Sequence, residues 1–236
     1  MGSGQEKKNM SNDKIMEVSD GIYQFKGISN FYLVRGSEEF LVDTGMPGRT
    51  KELDKHLKKL DMTPSEIETI VITHHHQDHT GSLDKMKSLT GAKVAIHKED
   101  AEYVSGEKKQ PGPLFMKPFM ALIKVIYNVK PVKADILLED GDDVGNYKVI
   151  HTPGHTPGSI CLYNPNNKVL FAGDNLRYSD GKLESPNGRL LPDPEKFKES
   201  MKKLGDLDIG TILTGHGEPV TIDANKLLDE FIKELT

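Results

Sequence analysis

Residues 73–81 read Thr-His-His-His-Gln-Asp-His-Thr-Gly, which places four histidines and an aspartate within nine positions. No other stretch limits the chain as tightly. Neutral imidazoles mixed with carboxylates are the donor set of a borderline divalent ion such as zinc. The run follows ETIVIT (68–73), a short apolar segment that reads as a strand. If the chain stays extended, successive side chains alternate sides, so His74, His76 and Asp78 share one face while His75 and Gln77 take the other. His79 adds a fourth donor where the strand hands over to a loop. The plainer alternative is a polar loop that is rich in histidine by chance, but the alternation in HxHxDH favours a metal.

A metal site needs donors from more than one segment. Three further positions supply them: His155 in TPGHTPGS, Asp174 in FAGDN and His216 in LTGHGE. Each follows an apolar run and is flanked by glycine, an arrangement in which a rigid strand end delivers a residue and a loop opens space around it. His151, in the preceding HTPG, competes with His155 on spacing alone. His75 (by alternation), His97 (at a strand end without a motif) and His56 (on a lysine-rich segment) are expected in structural or solvent roles. Cys161, the single cysteine, lies in the alternating run SICLY and is expected in the core.

The apolar periodicity places these residues on a framework. KIMEVS, GIYQFK, NFYLVRG and EEFLVDTG read as strands joined by tight turns, 49–60 as a helix, and ETIVIT as the next strand. Ser82–Leu89 reads as a short helix, AKVAIH as a strand and Lys98–Val104 as a helix start. ADILLED, YKVIHT, SICLYN and KVLFAGD follow as strands, then a helix over Pro194–Leu204, the strand GTILTG and a closing helix from Asp223. Strands then helices, twice over, predict two sheets with helices outside. Residues 1–9 read as a tag and a mobile start, and 10–236 as one domain. An apolar, proline-flanked insertion at about 105–132 interrupts the rhythm. It reads as a helix that packs on the body, forms a lid or cleft wall, or supplies a homodimer surface.

The formal charge of −5 provides no basic surface for nucleic acid or an anionic membrane, and no apolar run spans a bilayer. A soluble, cytoplasmic protein with a small-molecule substrate is expected. G-x-S-x-G is absent, so no serine elbow is predicted. Water bound to metal is therefore the expected nucleophile, with Asp78 and Asp174 orienting it.

HxHxDH, then GHTPGS, then GD, then GHG, over about Asp43 to His216, resembles the metallo-β-lactamase superfamily. The resemblance implies an α/β fold, the αββα sandwich of two mixed sheets with helices on the outer faces. It implies two divalent metal ions, zinc before iron or manganese: His74, His76 and His155 hold the first, Asp78, His79 and His216 the second, and Asp174 bridges them. Asp43 in LVDTG matches a strand-end acid that orients the site from behind the ligands. It also implies a hydrolase acting on an ester, thioester or lactone through a metal-bridging hydroxide. Asp174 stands where common zinc β-lactamases carry cysteine, which argues against antibiotic hydrolysis.

THHHQDHTG looks most like glyoxalase II, yet only twenty residues follow His216, too few for that enzyme's helical C-terminal domain. The homoserine-lactone lactonases place a tyrosine three residues after the bridging aspartate, where this chain has Arg177, with Tyr178 next to it. Tyr178 is therefore a candidate for the substrate cleft, as are Phe115 and Phe119 of the insertion. The alternatives are an enzyme similar to the mononuclear iron persulfide dioxygenases, using His74, His155 and Asp174, a metal-dependent phosphodiesterase, and a non-catalytic binding module.

Overall fold

The computed structural model describes residues 15–111, 117–185 and 191–235, apart from the side chains of Lys117, Phe119 and Met120. The expectations for Phe115 and for the side chain of Phe119 lie outside the described residues. Two mixed sheets lie face to face with helices on their outer sides.

The first sheet begins as an antiparallel meander, β1 (Ile15–Ser19), β2 (Ile22–Phe25), β3 (Phe31–Val34) and β4 (Phe40–Val42). It continues with parallel strands β5 (Thr69–Ile72), β6 (Lys93–His97) and β7 (Ile136–Leu138). The crossovers carry helices α1 (Thr50–Lys59), α2 (Gln77–Thr80), α3 (Leu83–Thr90), α4 (Lys98–Val104) and α5 (Lys117–Tyr127). The second sheet is a meander of β8 (Asp143–Val144), β9 (Tyr147–His151), β10 (Ile160–Asn164), β11 (Val169–Ser179) and β12 (Lys182–Glu184). Helix α6 (Pro194–Gly205) then returns the chain so that β13 (Thr211–Gly217) lies parallel to β11, and α7 (Ala224–Leu235) closes the layer. Strands β8 and β12 escape the sequence reading because two or three residues are too few to show alternation.

Alternation sorts the core into three layers. In β5, Val71 points between the sheets while Ile70 and Ile72 pack under Leu53 and Leu57 of α1. In β10 and β11, Leu162 and Phe171 face the intersheet layer, while Cys161, Leu170 and Ala172 face Phe197 and Met201 of α6. Period-two patterning gives each strand two apolar faces, as a sheet covered on both sides requires. Cys161 is buried, as expected, and burial pushes its thiol up to about 12.

Two local expectations need correction. The histidine run does not stay extended: β5 stops at Ile72, residues 73–76 bend, and Gln77–Thr80 forms α2. Asp43 is the cause, since its carboxylate takes Thr73 N–H (2.8 Å) and Thr73 Oγ1 (2.8 Å) and draws the chain out of the strand ladder. Alternation therefore does not place Asp78, which rides on a helical turn beside His79. Asp174, expected at a strand end, lies within β11 at a break in its register with β13, next to Gly173 in the left-handed region (φ +51°). A Cβ on Gly173 would sit 2.8 Å from Thr73 Oγ1, so only glycine lets the two sheets approach here.

The insertion contributes α5, on which Leu122, Val125 and Ile126 are 56%, 77% and 66% exposed. Its Ile123 lines an apolar cavity of about 130 Å³ together with Met46, Gln77, Thr80, Tyr103 and Val132. Among the described residues no helix is long and apolar enough to cross a membrane.

Candidate metal centre

The bend after β5, the loop between β9 and β10, the irregular centre of β11 and the end of β13 open at one place. Their donors fall into two groups, each with its ligand atoms within 4.8 Å of one another: His74, His76, His155 and Asp174, and Asp78, His79, Asp174 and His216. Asp174 belongs to both. Its Oδ2 lies 3.7 Å from His74 Nε2, 3.5 Å from His155 Nε2 and 3.3 Å from His216 Nε2, while Oδ1 lies 3.2 Å from His79 Nε2. His155 Nε2 is 3.0 Å from His76 Nδ1, and His79 Nε2 is 3.4 Å from His216 Nε2. Four donors about 2.0–2.1 Å from one ion in a tetrahedron stand roughly 3.3 Å apart. The observed spacings scatter around that edge.

Hydrogen bonds at the outer nitrogens aim the inner ones. His79 Nδ1 is 2.8 Å from Asp43 Oδ2, and His216 Nδ1 donates to the Ile28 carbonyl oxygen at 2.6 Å. With each Nδ1 engaged in this way, the Nε2 atoms face inward. Asp43 holds this post from the left-handed region (φ 61°), a strained place for a non-glycine residue. The α2 turn is itself clamped, since His79 O accepts from both Thr44 N and Thr44 Oγ1 at 2.8 Å.

An uncompensated feature tests whether a metal fits. His74 Nε2 and Asp174 Oδ1 are buried without a hydrogen-bond partner, although His79 Nε2 is near enough to Oδ1 for an ion pair off the hydrogen-bond line. Buried polar atoms left this way are costly. A cation between the two groups would satisfy both, so the residues fit the ion.

The electrostatics divide the groups. Burial, reinforced by neighbouring histidines, holds His74 and His155 below their ordinary pKa and His76 down to about 3, so these rings are neutral at pH 7. Burial also opposes charge on His79 and His216, but Asp174 with Asp43 or Asp78 outweighs it, raising His79 well above its ordinary value and His216 to about 10. Asp174 and Asp78 stay ionised: His79 and His216 overcome the penalty of burial.

The remaining histidines stand elsewhere. His75 is buried with its Nδ1 2.9 Å from Asp100. His56 is buried against the rings of Tyr23 and Phe25, both at 5.1 Å. His97 and His151 stack on each other at 3.9 Å, and His151 Nε2 bonds the Pro157 carbonyl, so the competitor to His155 lies outside the two groups. With Glu99 they form a third cluster of donors. Tyr178, the substrate-cleft candidate, is half-buried, packs against the outer core formed with α6 and α7, and pairs with Gly217 next to His216. Thr73, Asp100 and the Ile28 carbonyl were not singled out from the sequence, because none carries a motif of its own.

Residues 25–216 match the metallo-beta-lactamase superfamily. The chain is 29% identical over 217 residues to the probable metallo-hydrolase YflN of Bacillus subtilis, covering 82% of each protein. It is 29% identical over 182 residues to the human acyl-coenzyme A thioesterase MBLAC2, covering 69% of this chain and 63% of that protein. Among solved structures, the metallo-beta-lactamase family protein TTHA1429 of Thermus thermophilus aligns with a TM-score of 0.71 at 25% identity, over 92% of this chain and 80% of the other. TTHA1623, solved in a di-iron-bound form, aligns with a TM-score of 0.63 at 24% identity, over 84% of this chain and 92% of the other. The two-sheet layering, the two donor groups sharing Asp174 and the match over 25–216 have one reading: the chain belongs to the metallo-beta-lactamase superfamily and is a metallo-hydrolase.

Proposed function

We propose that the protein hydrolyses carboxylic thioesters, with esters and lactones as weaker substrates, using two divalent ions held by His74, His76 and His155, by Asp78, His79 and His216, and by Asp174 between them. The observation that carries the reading is the shared position of Asp174 beside the orphaned Nε2 of buried His74. Zinc is the ion best matched to imidazole and carboxylate donors in this spacing. When bound, such a pair lowers the pKa of water and polarises a scissile carbonyl.

The chain's own residues supply the rest. Asp78 is half-buried and ionised, with Oδ2 3.2 Å from His216 Nε2, so it can orient an attacking water and accept its proton at Oδ2. Asp43 and the Ile28 carbonyl hold the rings of His79 and His216 in place while charge changes nearby. Helix α2 contributes to both the donors and the apolar cavity: Asp78 and His79 belong to the second donor group, Gln77 and Thr80 to the cavity wall. That cavity suits a short apolar acyl group, since an apolar space of about 150 Å³ holds a benzene-sized guest. The thioesterase MBLAC2 among the relatives supports the same substrate class.

Chelator dialysis followed by zinc, with a panel of acyl thioesters, lactones, phosphodiesters and β-lactams, tests the proposal. Thioester hydrolysis should vanish on dialysis and return with zinc. Full activity in the metal-free protein, or turnover confined to phosphodiesters, would overturn it. The di-iron relative favours one second reading, iron in place of zinc. Thioester hydrolysis restored by iron and not by zinc would select it.

A further inference from the structure

We propose that Asp100 is a positioning residue that fixes the spacing of His74, His76 and His155 by tying the bend after β5 to the loop that carries His155. The proposal rests on reading that group as a metal cage. Asp100 stands in the first turn of α4 and is fully buried. Its Oδ2 accepts from His75 N–H at 2.9 Å and from Thr156 Oγ1 at 2.7 Å, and its Oδ1 accepts from Gly158 N–H at 2.8 Å. His75 is the residue between His74 and His76, and Thr156 follows His155. One carboxylate thus holds both sequence neighbourhoods that bring the three rings together.

The surroundings are shaped for this contact. The His75 ring, with Nδ1 2.9 Å from Oδ2, stacks on Tyr103 of the same helix at 4.3 Å. A Cβ on Gly158 would lie 2.8 Å from both Cβ and Cγ of Asp100, so the second glycine of GHTPGS is needed for the carboxylate to reach the loop. An acid in a helix's first turn ordinarily complements the dipole from the surface. A carboxylate sealed from solvent is tolerated only when hydrogen bonds satisfy it, and here the donors come from two separate segments. Burial works against its charge, but His75, Thr156 and Gly158 prevail and hold its pKa below the ordinary value.

Asparagine would replace one acceptor oxygen by an N–H₂ group, leaving at least one of these donors facing another donor. The test titrates metal-free protein with Co²⁺, followed by its visible absorbance, in the wild type and in a His216→Ala background that disables the other donor group. Asp100→Asn should weaken Co²⁺ binding by the first group about tenfold or more, as loss of an orienting contact behind a ligand does. Thr156→Val, which removes one of the bonds, should weaken it less. Asp135→Asn is the control, because Asp135 also accepts a backbone N–H (Val94, 2.8 Å) but lies outside both donor groups. Unchanged affinity in Asp100→Asn, or equal weakening in the control, overturns the proposal. If Asp100→Asn does not fold, unchanged affinity in Thr156→Val overturns it. A wild type that binds no Co²⁺ overturns the cage itself, and the proposal with it.

Discussion

Asp43 shows how much one side chain does here. It bends the chain after β5 through Thr73 and fixes the Nδ1 proton of His79. Asp43→Asn should therefore weaken metal binding by the second donor group roughly 10–100-fold while the protein stays folded; a competition titration against a chromophoric chelator measures it, and an unchanged affinity would remove Asp43 from the account. Protonation gives a second prediction. The folded pKa of His76 is depressed to about 3 from its ordinary 6.5, so its contribution is present above pH 6.5 and is lost as pH falls through that window. For His216, raised to about 10, the contribution is present below pH 6.5 and is lost as pH rises towards 10. The melting temperature of the metal-free protein should thus peak near pH 6.5 and fall on both sides. Zinc should remove the alkaline loss, because ligation replaces the proton on His216. Calorimetry across pH checks this, and a metal-free midpoint that climbs between pH 7 and pH 9 would contradict it. The donor residues were legible in the sequence because HxHxDH and the glycine-flanked His155, Asp174 and His216 are chemically conspicuous. Asp100 and Thr73 were not: an acid at a helix start and a threonine at a strand end have commoner roles, and only the packed structure brings each to its partner.

The elements matter through where they break. Helix α2 is one turn long, and a four-residue helix inside a histidine-rich run has no periodicity to betray it, so the extended reading misplaced Asp78. Strand β11 runs unbroken in sequence as KVLFAGD, and its irregular pairing with β13 became visible only when both strands were in place. Gly215 of β13 marks the same spot: a Cβ there would lie 2.3 Å from Asp174 Oδ1 and 2.8 Å from His79 Cε1. Its backbone is not in the left-handed region, so alanine fits the strand but not the donor groups. Gly215→Ala should keep the far-ultraviolet circular dichroism of the parent and lose most of its bound metal. Normal metal content in that variant would mean that Asp174 can move without consequence.

At the scale of the whole molecule, the strand alternation visible in the sequence yields three apolar layers, and the intersheet layer holds the two halves of the site in register. Phe171 sits at its centre, against Tyr32 at 5.2 Å and Tyr147 at 5.4 Å, and Tyr32 Oη donates to the Thr214 carbonyl two residues before His216. Phe171→Ala should cost about 3–5 kcal/mol in urea unfolding, the usual loss for a large buried ring. A cost under about 1 kcal/mol would mean that the layer does not couple the sheets. Placement of the sheets was readable from patterning, whereas the exposed apolar face of α5 was not, because burial is a property of partners that one sequence does not name. The central claim is that two donor groups sharing Asp174 hold two ions. Elemental analysis of protein equilibrated with zinc and then desalted tests it most directly: the account predicts about two zinc ions per wild-type chain and a large loss in Asp174→Ala, and a wild type that retains none would contradict it.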